Sequence, residues 1–299
     1  MAITHGIDVS TFQGSIDWAA VGRTGFRFAL ARMSIGRTTR DDRGRRNLRG
    51  MHGRVAVGGA YGVIGTAEPV EDGAKLLVHE IAAVTDPARV LVMLDAEDFG
   101  DGSHPTIGQV DRYAIELHRL LGRWPVAYVP GWWLDNHRYT ARGRALANCP
   151  WAASHYLPQP WTEARLQANK PTNLHGFKRL AWLQYTDRAR VSGISGNVDA
   201  DVFYGDLAAL RRALLGTPTE EDDLTKEEFK QAWRELTSQG VIFGQDTWAD
   251  GFRVYADKMD RILVEQRRTN GKLDRLITLL EAQAPTQAEA QAEARPPSS

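Results

Sequence analysis

Four carboxylates stand where apolar runs of the chain end: Asp8 in G-I-D-V-S, Asp95 and Glu97 in V-L-V-M-L-D-A-E, and Asp199 in G-N-V-D-A-D-V-F. One aspartate after a strand is commonly a turn former, and D-A-E alone reads equally well as a solvated strand exit. Four acids at the ends of three strands, in apolar surroundings, are harder to explain as structure. Side chains at i and i+2 of a strand point to one side, about 6.6 Å apart along the chain at ~3.3 Å per residue. Asp95 and Glu97 can therefore face one pocket. Two carboxylates held that close raise the proton affinity of one of them. An acid that keeps its proton near neutral pH can protonate a glycosidic oxygen, while an ionised neighbour stabilises positive charge on the sugar or its substituent. Glycoside hydrolysis uses such a pair. The spacing leaves open which member carries the proton.

Acids at strand ends need strands to hold them. Up to about Gly216, β-rich runs such as HGIDVS, GFRFALARM, RVAVGGAYGVI, ARVLVMLDAE, WPVAYVPGWW and LAWLQYT alternate with helical stretches. Residues 70–84 place Leu76, Leu77, Ile81 and Val84 at helical spacing, and residues 106–122 do so with Val110, Ile115, Leu117 and Leu121. Thr106 suits an N-cap and Gly122 the position just past the helix. Strands separated by helices predict an α/β domain with a mainly parallel sheet. A closed barrel fits the length, and it builds its site at the C-terminal strand ends. An open doubly wound sheet is the alternative, without a glycine-rich nucleotide-binding turn to support it.

The motifs then converge. G-I-D-V-S-T-F-Q-G at 6–14 with I-D-W at 16–18, G-G-A-Y at 58–61, D-A-E at 95–97, W-A-A-S-H-Y at 151–156, Q-Y-T at 184–186 and G-I-S-G-N-V-D at 193–199 occur in the order of the family 25 glycoside hydrolases. The chain resembles that family, lysozymes acting as N-acetylmuramidases, over about 200 residues. The resemblance implies an irregular, flattened, TIM-like β/α barrel and hydrolysis of the β-1,4 bond between N-acetylmuramic acid and N-acetylglucosamine. It implies Glu97 as general acid, Asp95 as its partner, Asp8 and Asp199 as further acids of the site, and Tyr61 in the pocket wall. Tyr128, Gln184 and Trp133 are candidate substrate contacts; for Trp132 and Trp133, sugar stacking and core packing weigh equally. Two departures stand out: Tyr61-Gly62-Val63 replaces the family's frequent Y-H-F, and Trp182 comes one residue early relative to W-Q-Y. A one-residue shift on a strand turns a side chain to the other face.

The chain balances 37 basic against 37 acidic residues, but residues 217–299 hold 11 basic and 16 acidic, leaving the first 216 residues at net +5. A mildly basic domain would be drawn to an anionic wall polymer. The arginine-rich run at 37–46 reads as a solvated loop rather than a binding patch. A single cysteine excludes an intramolecular disulfide, and the eight histidines show no ligand spacing, so neither metal nor cofactor is expected. The expected partners are peptidoglycan glycan strands, with no nucleic acid and no membrane insertion. With no basic-then-apolar leader, the expectation is synthesis in a host cytoplasm without a signal peptide, and action on the wall after holin-type release or as part of a virion. Residues 217–224 read as an acidic linker. Residues 225–281 read as helical, with heptad positions from Phe252 to Leu280 that suit a self-associating coiled coil or a helix packed on its own domain. Residues 282–299 read as a disordered tail. A non-catalytic wall-binding or virion protein on the same barrel is the competing functional reading.

Overall fold

The computed structural model describes residues 2–215; the expectations for 217–224, 225–281 and 282–299 lie outside the described residues. In chain order the elements are β1 (Thr4–Val9), α1 (Trp18–Val21), β2 (Phe26–Ile35), β3 (Thr39–Arg40), α2 (Gly44–Met51), β4 (Val57–Val63), α3 (Glu71–Ala82), β5 (Leu91–Asp95), α4 (Ile107–Leu121), β6 (Val126–Tyr128), α5 (Gly131–Asn136), β7 (Trp151–Ser154), α6 (Glu163–Ala168), β8 (Leu180–Ala189), β9 (Val198–Phe203) and α7 (Leu207–Leu215). No described helix is long and apolar enough to cross a membrane.

Eight strands close into a barrel in the order β1-β2-β4-β5-β6-β7-β8-β9, because β1 pairs with both β2 and β9; β3 hangs on β2 as a short hairpin arm. The closure excludes the open sheet. Seven barrel strands run parallel, whereas β9 is antiparallel to both neighbours. The first residues of β9 therefore meet the rim where the other strands finish. Asp199 lies opposite Asp8 there, so it begins a strand, correcting the expectation that it ends one.

Alternation sorts the strands' side chains into two layers. Phe28, Leu30, Leu91, Val126, Trp182 and Phe203 fill the barrel, and the opposite faces pack under the helices. Phe28 and Trp182 meet with ring centroids 5.4 Å apart. Gly6 makes room for this plug: a Cβ there would sit 2.2 Å from the Phe28 ring. Burying such side chains contributes roughly 1.5–3 kcal/mol each.

Outside the barrel, α4 is set by its ends. Thr106 Oγ1 accepts from Gln109 N–H at 3.3 Å, Gln109 Oε1 accepts from Thr106 N–H at 2.8 Å, and Gly122 turns left-handed at φ 69°. Its buried face is Val110, Tyr113, Ala114 and Leu117. Ile115 is 44% exposed, correcting its assignment to that face; at one position past Ala114 it points about 100° away. The arginine-rich run is also no plain solvated loop. Arg40 Nε and Arg45 Nε donate to the two oxygens of buried Glu80 at 2.7 and 2.6 Å. A buried carboxylate needs such partners.

Substitution Gly6→Ala should overfill the barrel floor, because fully buried Phe28 has no free space to retreat into. A cost of about 1–3 kcal/mol is expected, seen as a thermal midpoint lowered by roughly 5 °C; an unchanged midpoint would show that the plug is loose.

Candidate active site

The strand ends bring all four sequence-identified acids together. Asp8 near the end of β1, Asp95 at the end of β5, Glu97 two residues on and Asp199 on β9 line one cavity of about 230 Å³. Tyr61, Tyr128 and Gln184 share the lining, as do Phe12, Arg32 and Tyr156. Gln184 organises one wall. It accepts from Tyr128 Oη at 2.9 Å and Tyr156 Oη at 3.2 Å, and its Nε2 donates to Asp8 Oδ2 at 2.9 Å. The amide thus orients Asp8 from the neighbouring face of the barrel.

Burial first, and neighbouring charge second, raises these acids. Burial, then the charge of Asp201, raises Asp8 to about 8 against the opposing hydrogen bond from Gln184. Burial and then the charge of Asp8 raise Asp199 to about 9. Asp95 is pushed well above the usual carboxylate range by burial, then by Glu97 and Asp8. Glu97 is raised by burial, against the pull of Arg32. The lining holds one cation among the described residues, Arg32, and its Nε is already engaged by Asp41 at 2.9 Å. Neighbouring acids in this state titrate as coupled sets.

A second, open groove of about 750 Å³ adjoins the first, and Glu97, Tyr128 and Tyr156 line both. Its walls include Trp132, Trp151, His155 and Lys170. Trp132 is 47% exposed on α5, whereas Trp133 is completely buried. Successive helical residues point about 100° apart, so only one tryptophan can reach the groove. This corrects Trp133 as a substrate contact: its ring packs on Tyr139 at 5.2 Å. Trp182 lies in the barrel plug below the cavity, away from the pocket lining.

The sequence model of Glycosyl hydrolases family 25 matches residues 7–194, which take in Asp8, Asp95 and Glu97. The chain belongs to that family. It is thus a glycoside hydrolase of the lysozyme type. Lysozyme M1 of Streptomyces globisporus is 27% identical over 218 residues, 69% of each chain. Among solved structures, a lysozyme from Streptomyces coelicolor is similar with TM-score 0.58 and 24% identity, covering 72% of this chain and 98% of that one. A family GH25 lysozyme from Aspergillus fumigatus superposes with TM-score 0.59 at 22% identity, covering 73% and 100%.

Several site residues escape a reading by motif. Tyr156 ends a quoted motif, yet its bond to Gln184 needs the fold. Arg32 lies mid-strand in β2, opposite Tyr61. Asp201 was legible: D-A-D at 199–201 repeats the i, i+2 spacing of D-A-E. It is 1% exposed, and neither carboxyl oxygen has a hydrogen-bond partner among the described residues. Burial, then the charge of Asp199, raises it well above the usual range. Histidine spacing predicted no ligand set, but folding gathers Asp98, His104 and His137 beside Glu97.

A folded-state pKa above the unfolded value near 3.9 favours folding while the group is protonated in the native state, and that contribution is lost as pH rises through the folded pKa. For Asp8 and Asp199 the loss runs from about pH 4 through 8 and 9. The thermal midpoint of the barrel, followed by near-ultraviolet circular dichroism, should therefore fall between pH 5 and pH 9. In Asp8→Asn it should fall less steeply and lie a few degrees higher at pH 9. Parallel curves would contradict the assigned pKa shifts.

Proposed function

We propose that the protein hydrolyses the β-1,4 bond between N-acetylmuramic acid and N-acetylglucosamine in bacterial peptidoglycan, with Glu97 as general acid. The observation that carries this reading is the position of Glu97 on the lining of both the carboxylate pocket and the open groove. A glycan lying through both cavities has one glycosidic bond over that carboxyl. Asp95 lines the inner pocket only and is more deeply buried, which suits it to hold charge or proton beside Glu97 rather than to deliver a proton. Lysozyme M1 and the family membership support the substrate class.

In this reading Glu97 protonates the departing oxygen as the bond to the sugar in the inner pocket lengthens. Positive charge develops on that sugar or on its 2-acetamido group beside Asp95, Asp8 and Asp199; in this reading one member of that coupled set is ionised and stabilises the charge, while the others keep their protons. The half-exposed Trp132 and Tyr156 offer ring faces to sugars in the groove. A non-catalytic wall-binding role would leave four raised, converging acids without a use.

Reducing ends released from purified peptidoglycan test the bond. After borohydride reduction and acid hydrolysis, muramicitol should accumulate; glucosaminitol instead would make the enzyme a glucosaminidase. Glu97→Gln keeps the side-chain shape and removes the proton. Its wall-lysis rate should fall by about 10²-fold or more with a thermal midpoint no lower than the wild type's, and near-wild-type lysis by the folded variant would refute the assignment.

A further inference from the structure

We propose that Asp98, His104 and His137 form a binding site for a divalent transition metal ion of the zinc class. Asp98 is the residue after Glu97, His104 lies on the same loop before α4, and His137 caps the end of α5. One ligand atom from each lies within 4.8 Å of the others. Asp98 Oδ1 is 2.9 Å from His137 Nε2 and 3.9 Å from His104 Nδ1. Ligands at about 2.0–2.2 Å from a tetrahedral zinc stand roughly 3.3–3.5 Å apart, between these two separations. Both imidazoles would swing out of their stack so that the in-plane lone pair of each points at the ion.

A simple histidine–aspartate pair does not account for the cluster. That pair is complete with His137 alone, yet His104 stacks on His137 with ring centroids 3.7 Å apart. It turns an Nδ1 toward the same carboxylate oxygen, too distant for a hydrogen bond. That Nδ1 is enclosed and has no hydrogen-bond partner among the described residues, a state that costs free energy unless something takes up the lone pair or proton. The rings are braced from behind by Trp133 and Tyr139 at 5.2–6.5 Å, while Asp98 is exposed and gives an ion access from solvent. Two imidazoles with one carboxylate suit zinc, nickel or copper, whereas magnesium and calcium take oxygen donors. Three protein ligands leave a position for water. Bound there, the ion ties the loop that carries Glu97 to the helix that carries Trp132, across one wall of the groove.

The test is calorimetric titration of the full chain, stripped with a chelator, with Zn²⁺ near pH 7.5. All eight histidines and the single cysteine, itself buried, lie within the described residues, so competing sites are few. One saturable site at micromolar concentration is expected, with a rise in thermal midpoint that Mg²⁺ does not reproduce. His104→Ala and His137→Ala should each weaken binding by about 10²-fold or more, while His118→Ala, whose ring stacks on Trp124, should not. If His137→Ala fails to fold, His104→Ala decides, because the His104 side chain makes no hydrogen bond among the described residues whose loss would unfold the loop. No saturable binding below millimolar zinc, undiminished binding in His104→Ala, or an equal midpoint shift with Mg²⁺ would overturn the proposal. None of these outcomes depends on which glycosidic bond the enzyme cuts.

Discussion

The site depends on an imbalance of charge: four carboxyls line one small cavity with a single arginine, and that arginine is shared with Asp41 outside it. In a buried space such acids cannot all ionise, because each added charge meets its neighbours in a medium that screens weakly. Protons are therefore retained where water would strip them, which is the condition for acid catalysis near neutral pH. Asp201, beneath them and without a hydrogen-bond partner among the described residues, adds a fifth acid whose pKa is raised in the same direction.

The rest of the barrel can be understood as what holds this unfavourable arrangement in place. Burial of the aromatic plug around Phe28 and Trp182 supplies apolar stabilisation beneath the acids. Reversal of β9 carries Asp199 to the rim occupied by Asp8, so that strands from opposite ends of the sequence meet as a carboxyl pair. Gln184, on the strand next to β9, ties the pair to two tyrosines across the cavity. Asp8, Asp95, Asp199 and Gln184 lie in strands, which fixes them more tightly than loop attachment would, and Glu97 stands two residues past the end of β5.

The acids, the α/β class and the ends of α4 were legible in the sequence because each is a local signal: an i, i+2 pair on a strand, a 3.6-residue period, a cap at each terminus. What was not legible depended on chain reversal or on contacts between distant segments. The sense of β9 has no marker in G-N-V-D-A-D-V-F, so Asp199 looked like a strand exit. Of two adjacent tryptophans, only the packing against Tyr139 decides that Trp133 is core and Trp132 faces the groove. The run at 37–46 looked solvated because its partner, Glu80, is a buried acid on a helix about 40 residues away. His104 and His137 meet Asp98 only through the junction of two loops. Asp201 is different: the spacing that flagged Asp95 and Glu97 would have found it.

A pocket of this kind retains carboxyl protons at neutral pH. Infrared difference spectroscopy reads this directly, since a protonated carboxyl has a carbonyl stretch that a carboxylate lacks. At pH 7, wild type minus Asp8→Asn should contain a carboxylic-acid band that disappears as the pH is raised through about 8 to 9. A difference spectrum with only carboxylate bands at pH 7 would mean that the acids are all ionised, and the account built on their crowding would fail.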